Sequence, residues 1–298
     1  IMTRSPWWKT ITRSFTSFMD NDLTTSAAAV SYFSMLALFP SLLLLLVASN
    51  RVFGPEAVEK YIIGKVLEFL PGTHTFVRRN LDSIYNLSAG LIASCIVIVL
   101  WAASWMFTVI EKALNRIWGT APRSFLHGRA VNFAVMSLVF LLLMLLALFT
   151  ASVSAIRTLA DNIPLNLGET FASLTGYVWQ LIFVAASAAV TISLFTLLYK
   201  LLPNTRVSLR EALTGAIVAG VMWEGAKFGF AYLIPYFNYD VLYGSIGAGV
   251  AVLSWVYFSS NIMLFGAQFT ALLHREHLFN ASIKTAPTAS VDSSATAE

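Results

Sequence analysis

Six mostly apolar stretches, separated by short polar breaks, organise the chain. They run about Thr24–Ser49, Ala89–Ile110, Ala130–Ile156, Thr175–Leu202, Leu209–Tyr236 and Gly244–Leu273. None alternates apolar and polar residues in the way a barrel strand does, and each reaches the roughly 20 residues that a bilayer-crossing helix needs. The pattern predicts an all-α polytopic membrane protein with six transmembrane helices. The second stretch continues at helical period through E-K-A-L-N-R-I-W to Gly119, and Pro203 stops the fourth. Pro40 lies inside the first, where its missing N–H predicts a kink or a break.

The polar breaks carry patterns of their own. Within residues 1–23, Trp7, Trp8, Ile11, Phe15 and Phe18 recur at helical spacing among Arg4, Lys9 and Arg13. This predicts an amphipathic cytoplasmic segment that either lies on an anionic membrane face or packs on the bundle. Between the first two spans, residues 50–88 set Val58, Tyr61, Ile62 and Phe69 against Glu59, Lys60, Lys65 and Glu68. Pro71-Gly72 divides that segment, predicting an external helical hairpin. The membrane domain then covers 24–274, and the small polar residues of 275–298 predict a disordered tail.

Composition supports this division. Of 298 residues, 57% are hydrophobic and 11% charged, where a soluble domain carries about 25% charged. The net charge of +4 needs no nucleic-acid partner, because cytoplasmic loops of membrane proteins collect Lys and Arg. With both ends inside, the inner segments hold twelve Lys and Arg and the outer ones six, Lys227 being intramembrane. Both termini are therefore expected in the cytoplasm and the 50–88 hairpin outside. Cys95 is the single cysteine, so no internal disulfide is available. The first apolar run is expected to be the first span rather than a cleaved leader.

Candidate chemistry is sparse. The four histidines are His74, His127, His274 and His277. The last two, at the end of the sixth span, suit interfacial anchors better than metal ligands. No glycine-rich phosphate loop, zinc spacing or nucleophile elbow is present. Neither a nuclease nor an ATP-driven pump is expected, and no metal or cofactor.

The informative residues are polar ones inside the spans. Glu224 and Lys227 lie past the middle of Leu209–Tyr236, where an ionisable group costs at least about 2.5–3.5 kcal/mol unless it is paired or hydrated. Spaced i, i+3, they can neutralise each other. Trp223 and Tyr232 share their span, Asn261 and Gln268 lie on the sixth, and Glu111, Asn115 and Arg116 close the second. Together these nine are candidates for a substrate path between spans two, five and six, with Lys227 and Arg116 meeting an anionic group. Gly215, Gly220, Gly225 and Gly229 on the fifth span and Gly266 on the sixth are expected to allow close helix packing. Two readings of the charged pair stand open. It lines a route for an amphipathic or anionic substrate, in a water-filled pocket reached from outside, or it is a buried ion pair that fixes helix register.

Several segments, in order, resemble one known family. They are A-A-A-V-S-Y-F-S-M-L-A-L-F-P-S-L-L-L (Ala27–Leu44) and L-W-A-A-S-W-M-F-T-V-I-E-K-A-L-N-R-I-W-G (Leu100–Gly119). A third group comprises L-Y-K-L-L-P-N-T-R-V-S-L-R-E-A-L-T-G-A (Leu198–Ala216), W-E-G-A-K (Trp223–Lys227), Y-D-V-L-Y-G-S-I-G-A (Tyr239–Ala248) and L-F-G-A-Q-F (Leu264–Phe269). Over roughly residues 20–275 the chain resembles the YihY/BrkB family of bacterial inner-membrane proteins. The resemblance implies a six-helix membrane bundle in the inner membrane. Members have carried a ribonuclease BN label, generally held to be mistaken, and others a virulence label; a transport role for a lipid or anionic solute has been suggested for relatives. The expected function is a transporter or flippase-like protein handling an amphipathic or anionic lipid or solute. Its alternative is a non-transporting, virulence-associated envelope scaffold that holds a partner protein through the outer hairpin. Small residues on the helix faces would permit a homo-oligomer.

Overall fold

A computed structural model describes residues 7–53, 88–161, 169–233 and 246–285. Seven helices make up these residues: α1 (Trp7–Asp20), α2 (Leu23–Phe53), α3 (Ala89–Trp118), α4 (Phe125–Asp161), α5 (Glu169–Leu201), α6 (Leu209–Leu233) and α7 (Gly247–Thr285). The all-α membrane architecture is as the apolar pattern predicts. The 50–88 hairpin lies almost wholly outside the described residues.

Local chemistry sets the helix ends. Ser88 caps α3, its hydroxyl accepting from Leu91 N–H, and so satisfies a donor that the helix leaves free. At the other end Gly119 takes a left-handed φ of 66°. Its N–H donates to Arg116 C=O and that of Thr120 to Asn115 C=O, the Schellman arrangement that glycine permits without strain. Ser208 and Glu211 open α6 with a reciprocal capping box, each side chain accepting from the other's backbone N–H at 3.3 Å. Helix α2 runs unbroken through Pro40. Helix α7 continues to Thr285, so residues 275–285, expected in the tail, are helical. No helix breaker precedes Pro287, and the residue before a proline disfavours the helical conformation.

Five segments are long and apolar enough to cross a membrane: Leu23–Arg51, Ala89–Trp118, Leu126–Leu145, Val184–Leu201 and Gly249–Arg275. Helix α6, with 25 residues, is about 37 Å long at about 1.5 Å rise per residue. It falls short of the others in apolarity because Glu224 and Lys227 interrupt it. The expected six spans are therefore five by composition, with α6 as the polar-interrupted sixth candidate.

Helix α7 is the axis, touching α1, α2, α3, α5 and α6, while α4 packs on α3 and α5. The buried core gathers at one end of the bundle. It comprises Leu23, Ala27 and Val30 of α2, Phe107, Leu114 and Ile117 of α3, Tyr199 and Leu202 beside α5, Ala212, Ala216 and Ala219 of α6, and Leu264, Ala267 and Ala271 of α7. The helices are antiparallel in turn, so this end collects the starts of α2, α4 and α6 and the final turns of α3 and α5. Helix α1 packs there too. Ser14 and Phe18 are buried, with Phe18 against Phe265 at 6.1 Å between ring centroids, while Phe15 and Met19 stay exposed.

Small residues draw α6 and α7 together. A Cβ added to Gly215 would lie 2.8 Å from the Gly266 carbonyl oxygen, and one on Gly266 would lie 2.6 Å from Ala219 Cβ. Gly220 meets Ile192 of α5 in the same way, at 2.7 Å. Gly225 and Gly229, also expected to admit a neighbour, have nothing within 4 Å. They lie on the side of α6 turned away from α5 and α7.

Candidate functional site

Helix α6 carries its two mid-helix charges, Glu224 and Lys227, onto the side facing α5. Lys227 Nζ lies 2.7 Å from Glu224 Oε2 and donates to Ser187 Oγ of α5 at 3.1 Å. The side chains keep 34% (Lys227) and 19% (Glu224) of their surface exposed, so the pair is only partly withdrawn from its surroundings. Glu224 Oε1 is buried and has no hydrogen-bond partner among the described residues. A buried carboxylate oxygen left unbonded costs about 1–3 kcal/mol or more, since the group is charged. Aromatic rings pack beside it. Trp223 stands edge-on to Phe195 at 5.7 Å and to Trp255 of α7 at 5.5 Å, and Trp255 meets Phe230 at 5.0 Å.

The nine sequence-predicted candidates do not share one surface. Glu224, Lys227 and Trp223 form the group just described, and it faces α5 and α7 rather than the second span. Tyr232 lies toward the far end of α6, largely exposed. Asn261 donates to Tyr257 C=O within its own helix at 2.8 Å. Gln268 is fully buried and accepts from Asn21 Nδ2 at 3.2 Å. Glu111, Asn115 and Arg116 belong to a different structure at the packed end. Glu211, at that end of α6, is thirteen residues from Glu224, about 20 Å along a helix.

That second structure is a collar of polar contacts. Arg123, in the turn before α4, reaches back to the end of α5. It donates to the carbonyls of Leu202 and Pro203 and to Glu111 Oε1 at 3.3 Å. A cation at a helix C-terminus satisfies carbonyls that the helix leaves unpaired and complements its dipole. Asn132 Nδ2 holds the other oxygen of Glu111 at 2.8 Å. Asn115 Oδ1 accepts from Asn204 N–H at 2.7 Å and from the Thr120 hydroxyl at 3.2 Å. Arg116 donates to Asn21 C=O and Arg275 to Ile117 C=O, both at 2.9 Å. His274 Nδ1 lies 2.9 Å from Glu211 Oε2, with its ring edge-on to Trp118 at 5.2 Å. The collar ties the later helices to one another and to the turn between α1 and α2, and Glu111 and Asn115 are buried within it.

Sequence reasoning missed the partners rather than the residues. Arg123 entered only as a topological charge, Asn132 and Ser187 not at all, and His274 only as an interfacial anchor. One signal was available: S-L-R-E is the capping-box pattern, and it places Glu211 at the start of α6. Its contact with His274, 63 residues away, left no local trace. Among the described residues, no three His, Cys, Asp or Glu side chains come together as metal ligands do.

The architecture is that of a helical membrane protein with a charged pair in a mostly apolar helix and a polar collar at one end. A family model described as virulence factor BrkB matches residues 14–291, and the chain belongs to that family. It is similar to the ribonuclease-like protein YfkH of Bacillus subtilis, at 28% identity over 84% of this chain and 89% of that protein. It is also similar to the UPF0761 membrane proteins of Alkalilimnicola ehrlichii and Legionella pneumophila (strain Corby), each at 30% identity. Those two alignments cover 83% and 87% of this chain but only 54% and 60% of the relatives, which are longer proteins. No solved structure matches the chain.

Proposed function

We propose that the chain is a transporter or flippase-like protein of the bacterial inner membrane, with both termini cytoplasmic and no ATPase of its own. On this reading α6 is the sixth span, and an amphipathic or anionic substrate passes the Glu224–Lys227 pair along α5, α6 and α7. The observation that carries the proposal is Glu224 Oε1, a buried carboxylate oxygen in an apolar helix with no partner among the described residues. A pair serving only to hold helix register would be expected to bond both oxygens, because the membrane supplies no water to do so. Lys227, a third exposed, is the group that meets a negative charge. The twelve-to-six distribution of Lys and Arg supports the orientation. The reading assigns no catalytic reaction.

Reconstituted liposomes test it. Wild-type protein should accelerate the movement of a fluorescent anionic phospholipid or a labelled organic anion, and Glu224→Gln and Lys227→Met should each reduce the rate at least tenfold without loss of folded protein. Equal rates in wild type, both variants and protein-free liposomes would remove the transport reading and leave the scaffold role.

A further inference from the structure

The seam between α5 and α6 changes character along its length. Leu209, Leu213, Gly220, Glu224 and Lys227 recur at spacings of three, four and seven residues, which puts them on one side of α6. At one end of that stripe Lys227 reaches Ser187. In the middle the helices touch, with Gly220 against Ile192. Toward the collar end they part and leave an open groove whose lining includes Ile192, Thr196, Leu197, Lys200, Leu209 and Leu213.

The lining is apolar apart from Lys200 and the hydroxyls of Ser193 and Thr196, which donate to carbonyls of their own helix. Lys200 is the penultimate residue of the apolar segment Val184–Leu201, so its ammonium lies at the level where a membrane helix meets water. Two other cations of the interior have a carboxylate beside them, Arg123 with Glu111 and Lys227 with Glu224. Lys200 is exposed, and no carboxylate among the described residues pairs with it. Exposed Arg206 and Arg210 lie in and just beyond the turn that joins the two helices. Leu209 and Leu213 remain 55% and 42% exposed, which leaves the groove open to the bilayer. An apolar trough that runs along a span and ends at an unmatched cation is complementary to one class of membrane molecule, a lipid with a negative head and an acyl tail.

We propose that this groove seats one anionic phospholipid, its phosphate at Lys200 and an acyl chain along Leu197, Leu209 and Leu213. The site does not depend on anything passing Glu224, so it stands or falls separately from the transport reading.

Native mass spectrometry of the full chain in a nonionic detergent, titrated with phosphatidylglycerol or phosphatidylcholine, tests the site. Wild type should retain one phosphatidylglycerol about fivefold more tightly than phosphatidylcholine, which corresponds to the ~1 kcal/mol typical of one basic residue near anionic lipid. Lys200→Gln should abolish the preference, and Leu213→Trp should lower retention of both lipids by filling the trough. Lys112→Gln, which removes an exposed cation from α3, should keep the wild-type preference. The proposal is overturned if wild type does not distinguish the two lipids. It is equally overturned if Lys112→Gln loses as much as Lys200→Gln, since diffuse charge alone would then explain binding. Lys200→Gln alters only an exposed side chain and decides the matter if Leu213→Trp does not fold.

Discussion

The two ends of the bundle are built from helices of similar apolarity and differ in almost everything else. At the collar end α3 buries Phe107, Ile110, Leu114 and Ile117 together with Glu111 and Asn115. At the other end the same helix exposes Leu91, Ile96, Val97, Ile98 and Leu100, although that half is the more hydrophobic. Helix α6 shares the contrast only on one side: Ala212, Ala216 and Ala219 are buried beside exposed Leu209, Leu213 and Ile217, while Val221, Phe228 and Tyr232 are exposed at the other end. In water this would be inverted. In a membrane an apolar side chain gains little by leaving lipid for protein, so close contact between small residues and polar bonds decide where helices associate. The packed end has both. At the other end many apolar side chains of the described residues stay exposed, and the Glu224–Lys227 pair lies between the two regimes.

The comparison breaks most readily at Arg123. Arg123→Ala would leave Glu111, 5% exposed, without its cation and free the carbonyls that end α5; removing one partner of a buried pair costs about 3–5 kcal/mol. Thermal unfolding in detergent should show a large loss of stability, and a variant as stable as wild type would mean that the collar does not hold this end together. Gly215→Val comes next. Its side chain would collide with Thr270 and the Gly266 carbonyl, and overpacking of this kind costs about 1–3 kcal/mol. Gly225→Ala, at a position with open space around it, sharpens the contrast. It should leave stability unchanged or raise it by up to about 1 kcal/mol, the difference in helix propensity. Equal losses from the two glycine variants would contradict the division into packed and open faces. Asn21→Ala, which removes the bond to buried Gln268, is expected to cost about 1 kcal/mol, the smallest of the losses predicted at the packed end.

Much of the fold was legible from the order of residues, and the site only in part. Gly119 announced the end of α3, Pro203 the end of α5, and Glu224 with Lys227 announced a polar interruption in α6. By residue type and position Glu111 and Asn115 belong with that pair, since all are polar and within spans; that Arg123, Asn132 and Asn204 occupy them is a matter of distant neighbours. Gly215 and Gly225 are likewise equivalent by sequence, as glycines in one apolar helix, while α7 meets Gly215, α5 meets Gly220, and nothing lies within 4 Å of Gly225.

By itself the sequence determined that the chain is helical, where its spans lie and which ionisable residues enter them. These properties are local: each span must satisfy its backbone hydrogen bonds internally, and its length is set by the bilayer. Tertiary structure decided which polar residues are partners and which are left over. A helix's sequence shows which residues share a face, but the identity of the facing neighbour depends on residues far away, as with Lys227 and Ser187 forty positions apart. Only once those neighbours are placed do Glu224 Oε1, among several buried polar atoms, and the Lys200 ammonium emerge as groups with no partner among the described residues.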